Sequence, residues 1–169
     1  MVLNNTIMLY AGIIRAVIAT ACIVIPSSVA ACPDYIGKWR SSRQLTMEFN
    51  NRLSSAEPKV RELLPQITGT VAVEFTDREM KFTDVPSRKI VIHGKESEWT
   101  GLNETVDYDL LGCTESVVVI RFSLYGAEMI SKLHFEDRNT YWEYLGDTNP
   151  VINAHAREYF VRDGAFGSD

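Results

Sequence analysis

Polar and apolar positions alternate most regularly in the second half of the chain. Val118, Ile120, Phe122 and Leu124 share one face of a run from Ser116 to Tyr125, and Met129, Ser131, Leu133 and Phe135 share one face of a run from Glu128 to Glu136. A period of two marks a strand with one side turned to a core. Shorter runs rich in β-branched and aromatic residues cover Ile36 to Arg40, Gly69 to Phe75, Glu79 to Thr83, Lys89 to Gly94, Thr105 to Leu111 and Thr140 to Leu145, with a weaker one at Glu98 to Thr100 and a closing one at Arg157 to Arg162. Turn formers separate several of them: Thr76-Asp77-Arg78, Gly126-Ala127 and Asp137-Arg138-Asn139. Short joins make sequence neighbours into spatial neighbours, and a series of hairpins curls to remove its exposed edges. The pattern predicts a mainly β protein, an antiparallel up-and-down barrel of eight or nine strands.

Helical spacing interrupts this pattern between the first strand and the next. Val60, Leu63, Leu64 and Ile67 recur at helical intervals over Ser55 to Ile67, with Ser54 or Ser55 as cap, Pro58 in the first turn and Pro65 set to end or bend the helix. A second helix is expected over Gln44 to Leu53. Such an excursion either covers one end of the barrel or packs its apolar stripe on the outside.

The amino-terminal segment has a different character. Arg15 is followed by the apolar run Ala16 to Ile25 and then Pro26, with small residues at Ser28 and Ala30 or at Val29 and Ala31. This is the layout of a signal peptide over residues 1–31, and its core is shorter than the roughly 20 apolar residues that a membrane span needs. The remainder divides into one domain at 32–163 and a tail at 164–169, exported to a periplasm or secreted. Cys22 leaves with the leader, so Cys32 and Cys113 remain, and two cysteines in an oxidising compartment pair. An alternative use of Cys32 is open, because Val29-Ala30-Ala31-Cys32 resembles a lipobox, whose cysteine becomes acylated. The chain would then be a membrane-anchored lipoprotein.

Charge and chemistry narrow the function classes. The formal net charge is −5, with no basic stripe, which argues against nucleic acid as a partner. His93, His134 and His155 are scattered, no C-x-x-C occurs, and His155-Ala156-Arg157-Glu158 supplies only an H-x-x-E pair, so neither metal nor cofactor is implied. No G-x-S-x-G turn is present, and Cys113 reads as a half-cystine. Asp107 and Asp109 alternate with Val106, Tyr108 and Leu110 as on a solvated strand face, whereas a paired-carboxylate hydrolase needs its carboxylates turned to a cleft. No catalytic residue is assigned. Asn103-Glu104-Thr105 is a glycosylation sequon in hosts that use it.

Gly37-Lys38-Trp39 at the opening of the first strand, the up-and-down series and a late arginine resemble the lipocalin or calycin pattern of ligand-binding barrels. That resemblance implies a barrel floor in which Trp39 lies under an arginine, Arg157 or Arg162, with Gly37 beside it, held by cation–π attraction. No T-D-Y motif follows, and the helical excursion is closer to the lid of intracellular fatty-acid-binding proteins. For binding, the aromatics Trp99, Tyr125, Tyr141, Trp142 and Tyr144 stand out, since rings line apolar pockets as readily as they fill cores. The expected function is an exported, non-enzymatic barrel for a small apolar or amphipathic ligand. The alternatives are a periplasmic protein-binding module of inhibitor or immunity type and a lipocalin-like enzyme.

Overall fold

A computed structural model of the protein describes residues 31–53, 58–83, 85–148 and 155–164. The expected leader up to Ala30, the serine caps at 54 and 55 and the tail from 165 lie outside the described residues. In chain order the elements are β1 (Gly37–Ser41), α1 (Arg43–Asn50), α2 (Pro58–Ile67), β2 (Ala72–Phe75), β3 (Glu79–Thr83), β4 (Arg88–Ile92), β5 (Lys95–Trp99), β6 (Thr105–Cys113), β7 (Val117–Leu124), β8 (Ala127–Asp137), β9 (Thr140–Tyr144), α3 (Leu145–Thr148) and β10 (Arg157–Arg162). Eight strands close an antiparallel barrel in the order β1-β10-β9-β8-β7-β6-β3-β2, and β1 pairs with β2 to complete the ring.

The alternation read from the sequence sets the inside of that ring. Val118, Ile120, Phe122 and Leu133 join Trp39, Val73, Phe75, Met80, Tyr108, Tyr141 and Phe160 in one buried cluster. Tyr141 and Phe160 stack at 4.9 Å between centroids across β9 and β10. Two expected strands fall outside the ring: β4 and β5 form a separate hairpin between β3 and β6. The stretch expected as a strand up to Gly94 ends earlier. His93 (φ 52°) and Gly94 (φ 73°) form the hairpin turn, the positive φ pair that tight hairpin turns demand. Pro65 stays inside α2 and does not end it.

Helices α1 and α2 attach to strand backbone through carboxamide side chains. Asn50 Nδ2 donates to the Arg157 carbonyl at 2.7 Å, and Asn50 Oδ1 accepts from the Arg157 N–H at 3.1 Å. Thr46 Oγ1 accepts from the Tyr159 N–H, and the Ser42 N–H donates to the Tyr159 carbonyl. On β10 only Phe160 to Arg162 pair with β1, so α1 and its cap supply the hydrogen bonds that a longer β1 would have made. Gln66 does the same for β4, donating to the Val91 carbonyl at 2.8 Å and accepting from its N–H at 2.9 Å. A strand edge with no neighbouring strand leaves backbone groups to be paired otherwise, and one carboxamide carries both a donor and an acceptor. The apolar stripe Val60, Leu63, Leu64 and Ile67 then packs against Ile90, Leu145 and Ala156, which sets α2 between the hairpin and α3.

One end of the barrel is sealed around Trp39, which is 1% exposed. The Arg162 guanidinium lies 4.4 Å from the centre of its ring. That guanidinium also donates to the carbonyls of Asp34, Ile36 and Arg138. Gly37 adopts φ 124°, and a Cβ there would stand 3.2 Å from Arg162 Nη1, so both backbone and space favour glycine. Arg162 takes the floor position; Arg157 does not. Arg157 starts β10 at the opposite end and lies on Trp142 and Phe49 instead. Cys32 and Cys113 form a disulfide with Cα atoms 5.4 Å apart, fastening the segment before β1 to the end of β6. That bond engages the sulfur that acylation of Cys32 would require.

Two measurements follow from the sealed end. The disulfide spans 81 positions, so the paired substitution Cys32→Ser with Cys113→Ser should cost about 4 kcal/mol by the chain-entropy model, read from denaturant unfolding. Arg162→Ala should lower stability by about 2 kcal/mol, and Arg162→Lys should recover only part of it, because an ammonium lacks the fork that bridges several carbonyls.

Candidate functional site

The barrel is not filled to its other end. A cavity of about 250 Å³ lies beneath α2, the β4–β5 hairpin and the β7–β8 turn. Its walls come from inward positions of β2, β3, β7, β8, β9 and β10, among them Val73, Phe75, Met80, Phe122, Leu133 and Phe160. Ile67 of α2, Trp99 of β5 and Leu145 of α3 also line it. Tyr125 lines the cavity yet is 71% exposed, so the space reaches the surface beside the β7–β8 turn. Tyr125 itself sits in that turn at φ 53°, followed by Gly126 at φ 78°.

Of the five aromatic residues singled out in the sequence, Trp99, Tyr125 and Tyr141 border the cavity. Trp142 and Tyr144 lie elsewhere. Period-two geometry puts them on the opposite face of β9 from Tyr141, outside the barrel. Trp142 stacks on His134 at 4.0 Å with the rings 7° from parallel. The Arg157 guanidinium lies 3.7 Å from the Trp142 ring and 4.2 Å from Phe49. Tyr144 meets the edges of His134 and His155. Rings and cation thus clamp α1 to the outer wall, a packing role. His93 is exposed and its N–H donates to Glu62. Among the described residues no group of three or more His, Cys, Asp or Glu is placed to hold a metal ion.

The residues that sequence reading missed are two carboxyls inside the barrel. Glu143 and Glu158 face one another directly across β9 and β10, in step with the core residues Tyr141 and Phe160. Both line the cavity. Ser131 Oγ donates to Glu143 at 2.6 Å, and Ser41 Oγ donates to Glu158 at 2.5 Å. The Gly69 N–H in turn donates to Ser41 Oγ at 2.9 Å. Glu158 is 6% exposed, and burial pushes its carboxyl up to about 7; the nearby Glu143 adds to the shift, while the bonds from Ser41 and the Gly69 amide work against it. The same two glutamates and complete burial raise the Tyr141 hydroxyl as well. Alternation puts Glu143 in step with Tyr141 and Glu158 in step with Phe160, and a glutamate at an inward position is out of place in an apolar core, but which side is inward comes only with closure of the ring.

Comparison with protein-family models, with curated proteins and with solved structures finds no match to this chain.

Glu158 gives a sign for the pH dependence of stability. Its carboxyl titrates near 4.5 ordinarily and near 7 in the fold, so between those values the folded chain holds a proton that the unfolded chain has released. Stability therefore falls as pH rises through that window, by about 3 kcal/mol in all from this group. Denaturant midpoints for Glu158→Gln should lose this component of the slope and exceed those of the unaltered protein above neutrality.

Proposed function

We propose that this protein is an exported, non-enzymatic barrel that holds a small apolar or amphipathic ligand, in the manner of the lipocalin or calycin proteins that its Gly37-Lys38-Trp39 opening resembles. The observation that carries the proposal is the cavity of about 250 Å³ at the open end of a barrel whose other end is sealed. Native interiors are packed so that voids larger than a water molecule are few. A concave, mostly apolar space with a small number of convergent polar groups is the form of small-molecule sites. Enclosing hydrocarbon there removes apolar area from water at about 25 cal/mol per Å². The export part of the proposal rests on the leader-like first thirty residues and on a disulfide suited to an oxidising compartment.

The test is binding of a short probe. Octanol titrated into the purified protein should bind saturably in calorimetry and raise the melting temperature. Met129→Trp, which places a bulky ring against the cavity wall, should remove that binding. Absence of any heat or thermal shift with the unaltered protein, together with native mass spectrometry showing only the bare chain, would refute the proposal.

A further inference from the structure

The rings around the cavity narrow the ligand class. Tyr141 and Phe160 stack 8° from parallel with centroids 4.9 Å apart, and Phe82 and Phe122 meet at 6.4 Å with their planes 52° apart. All four line the cavity. In the closed order of the strands β10 stands opposite β6, and β7 and β3 flank β6, so the Tyr141–Phe160 pair and the Phe82–Phe122 pair belong to opposite walls. These rings differ from those of the sealed end. There Tyr35, Trp39 and Tyr108 each meet two other rings, edge to face. Phe82, Phe122 and Phe160 each meet a single ring among the described residues, which leaves ring surface toward the cavity. Met80 and Met129 line the same space, and thioether sulfur makes favourable contacts with ring edges.

Resting on the ligand-binding proposal above, we infer that the cavity takes a flat bicyclic aromatic molecule of naphthalene or indole size, held between the Tyr141–Phe160 and Phe82–Phe122 walls. Aromatic rings attract one another beyond the area they bury, because the negative face of one meets the positive edge of the other. A saturated chain offers neither. The positive edge of a ring also suits the carboxyl of Glu158, which lines the same space. Size points the same way: a cavity of about 150 Å³ holds benzene, so one of about 250 Å³ holds about ten non-hydrogen atoms, the content of two fused rings. A rigid ligand has few rotations to lose on binding, whereas a ten-carbon chain must fix most of its bonds to fit the same space.

The experiment compares three probes that share a ten-carbon body and one hydroxyl: 2-naphthol, its saturated counterpart decahydro-2-naphthol, and 1-decanol. Each is titrated calorimetrically into the purified protein at about pH 7, where a phenolic hydroxyl keeps its proton. 2-Naphthol should bind at least about tenfold more tightly than decahydro-2-naphthol, the effect of two ring contacts. It should also bind more tightly than 1-decanol, although the chain has the greater apolar area to bury. Phe82→Leu and Phe160→Leu should each shrink the ratio of the two bicyclic affinities, with a melting curve confirming that each variant folds; the probe series on the unaltered protein decides the inference without them. 2-Naphthol binding no tighter than its saturated counterpart, or more weakly than 1-decanol, overturns the inference while leaving a ligand-binding barrel in place. If none of the three probes binds, the ligand-binding proposal itself falls, and the aromatic inference with it.

Discussion

Everything in this structure depends on a five-residue strand closing the ring. β1 pairs with β2 on one side and with β10 on the other, and without it the sheet would end in two edges. Edges invite pairing with other chains. Closure also decides the fate of each side chain, since a closed ring has an inside and an outside and no third choice. β1 is short for the task, because its pairing with β10 reaches only from Arg162 back to Phe160. Asn50, Thr46 and Ser42 complete the ladder from α1. The helix is thus a substitute strand for hydrogen-bonding purposes, and its Phe49 against Arg157, which in turn lies on Trp142, holds it there.

The two ends of the barrel solve opposite problems. At the Trp39 end, a large ring, a guanidinium with several carbonyl partners and a disulfide meet within a few residues of the chain start of β1. Each is anchored by the others: Trp39 Nε1 donates to the Tyr35 carbonyl, and Arg162 donates to the carbonyls on either side of it. That end is packed shut. At the far end the covering elements are a helix, a detached hairpin and a two-residue turn, and their Ile67, Trp99 and Tyr125 border the space without filling it. The cavity is what such a cover leaves.

How much of this was legible in the sequence follows from which forces are local. Alternation is local, so the inward sets on β7 and β8 and the bounds of β3 and β10 were readable directly, as was the stripe that buries α2. The detachment of β4 and β5 was not. A hairpin that leaves the ring reads like one that stays in it, and only the nearly complete exposure of Lys95–Trp99 betrays the difference. The choice between Arg157 and Arg162 as the partner of Trp39 was likewise closed to sequence. It depends on which end of β10 meets the start of β1, a matter of register. Period two sets Trp142 and Tyr144 opposite Tyr141 on β9, but it gives sides and not which side is the interior. Glu143 and Glu158 escaped notice because each, taken alone, is an ordinary polar residue in a strand; only antiparallel register makes them neighbours.

That register turns two unremarkable residues into an expensive arrangement. A fold selected for stability alone would place apolar side chains at both positions, as it does one step along at Tyr141 and Phe160. Replacing a buried polar pair by hydrocarbon of similar volume is commonly neutral or stabilising. Here the pair is retained and each carboxyl is further held by its own serine, Ser131 for Glu143 and Ser41 for Glu158. Both serines occupy inward strand positions where a larger apolar residue would have filled space, and both are themselves buried. Four polar side chains on three adjacent strands and β1 thus keep hydrocarbon out of one patch of the wall. The cavity and the carboxyls are in this sense one feature: the residues that leave the interior unfilled are the same residues that give it charge.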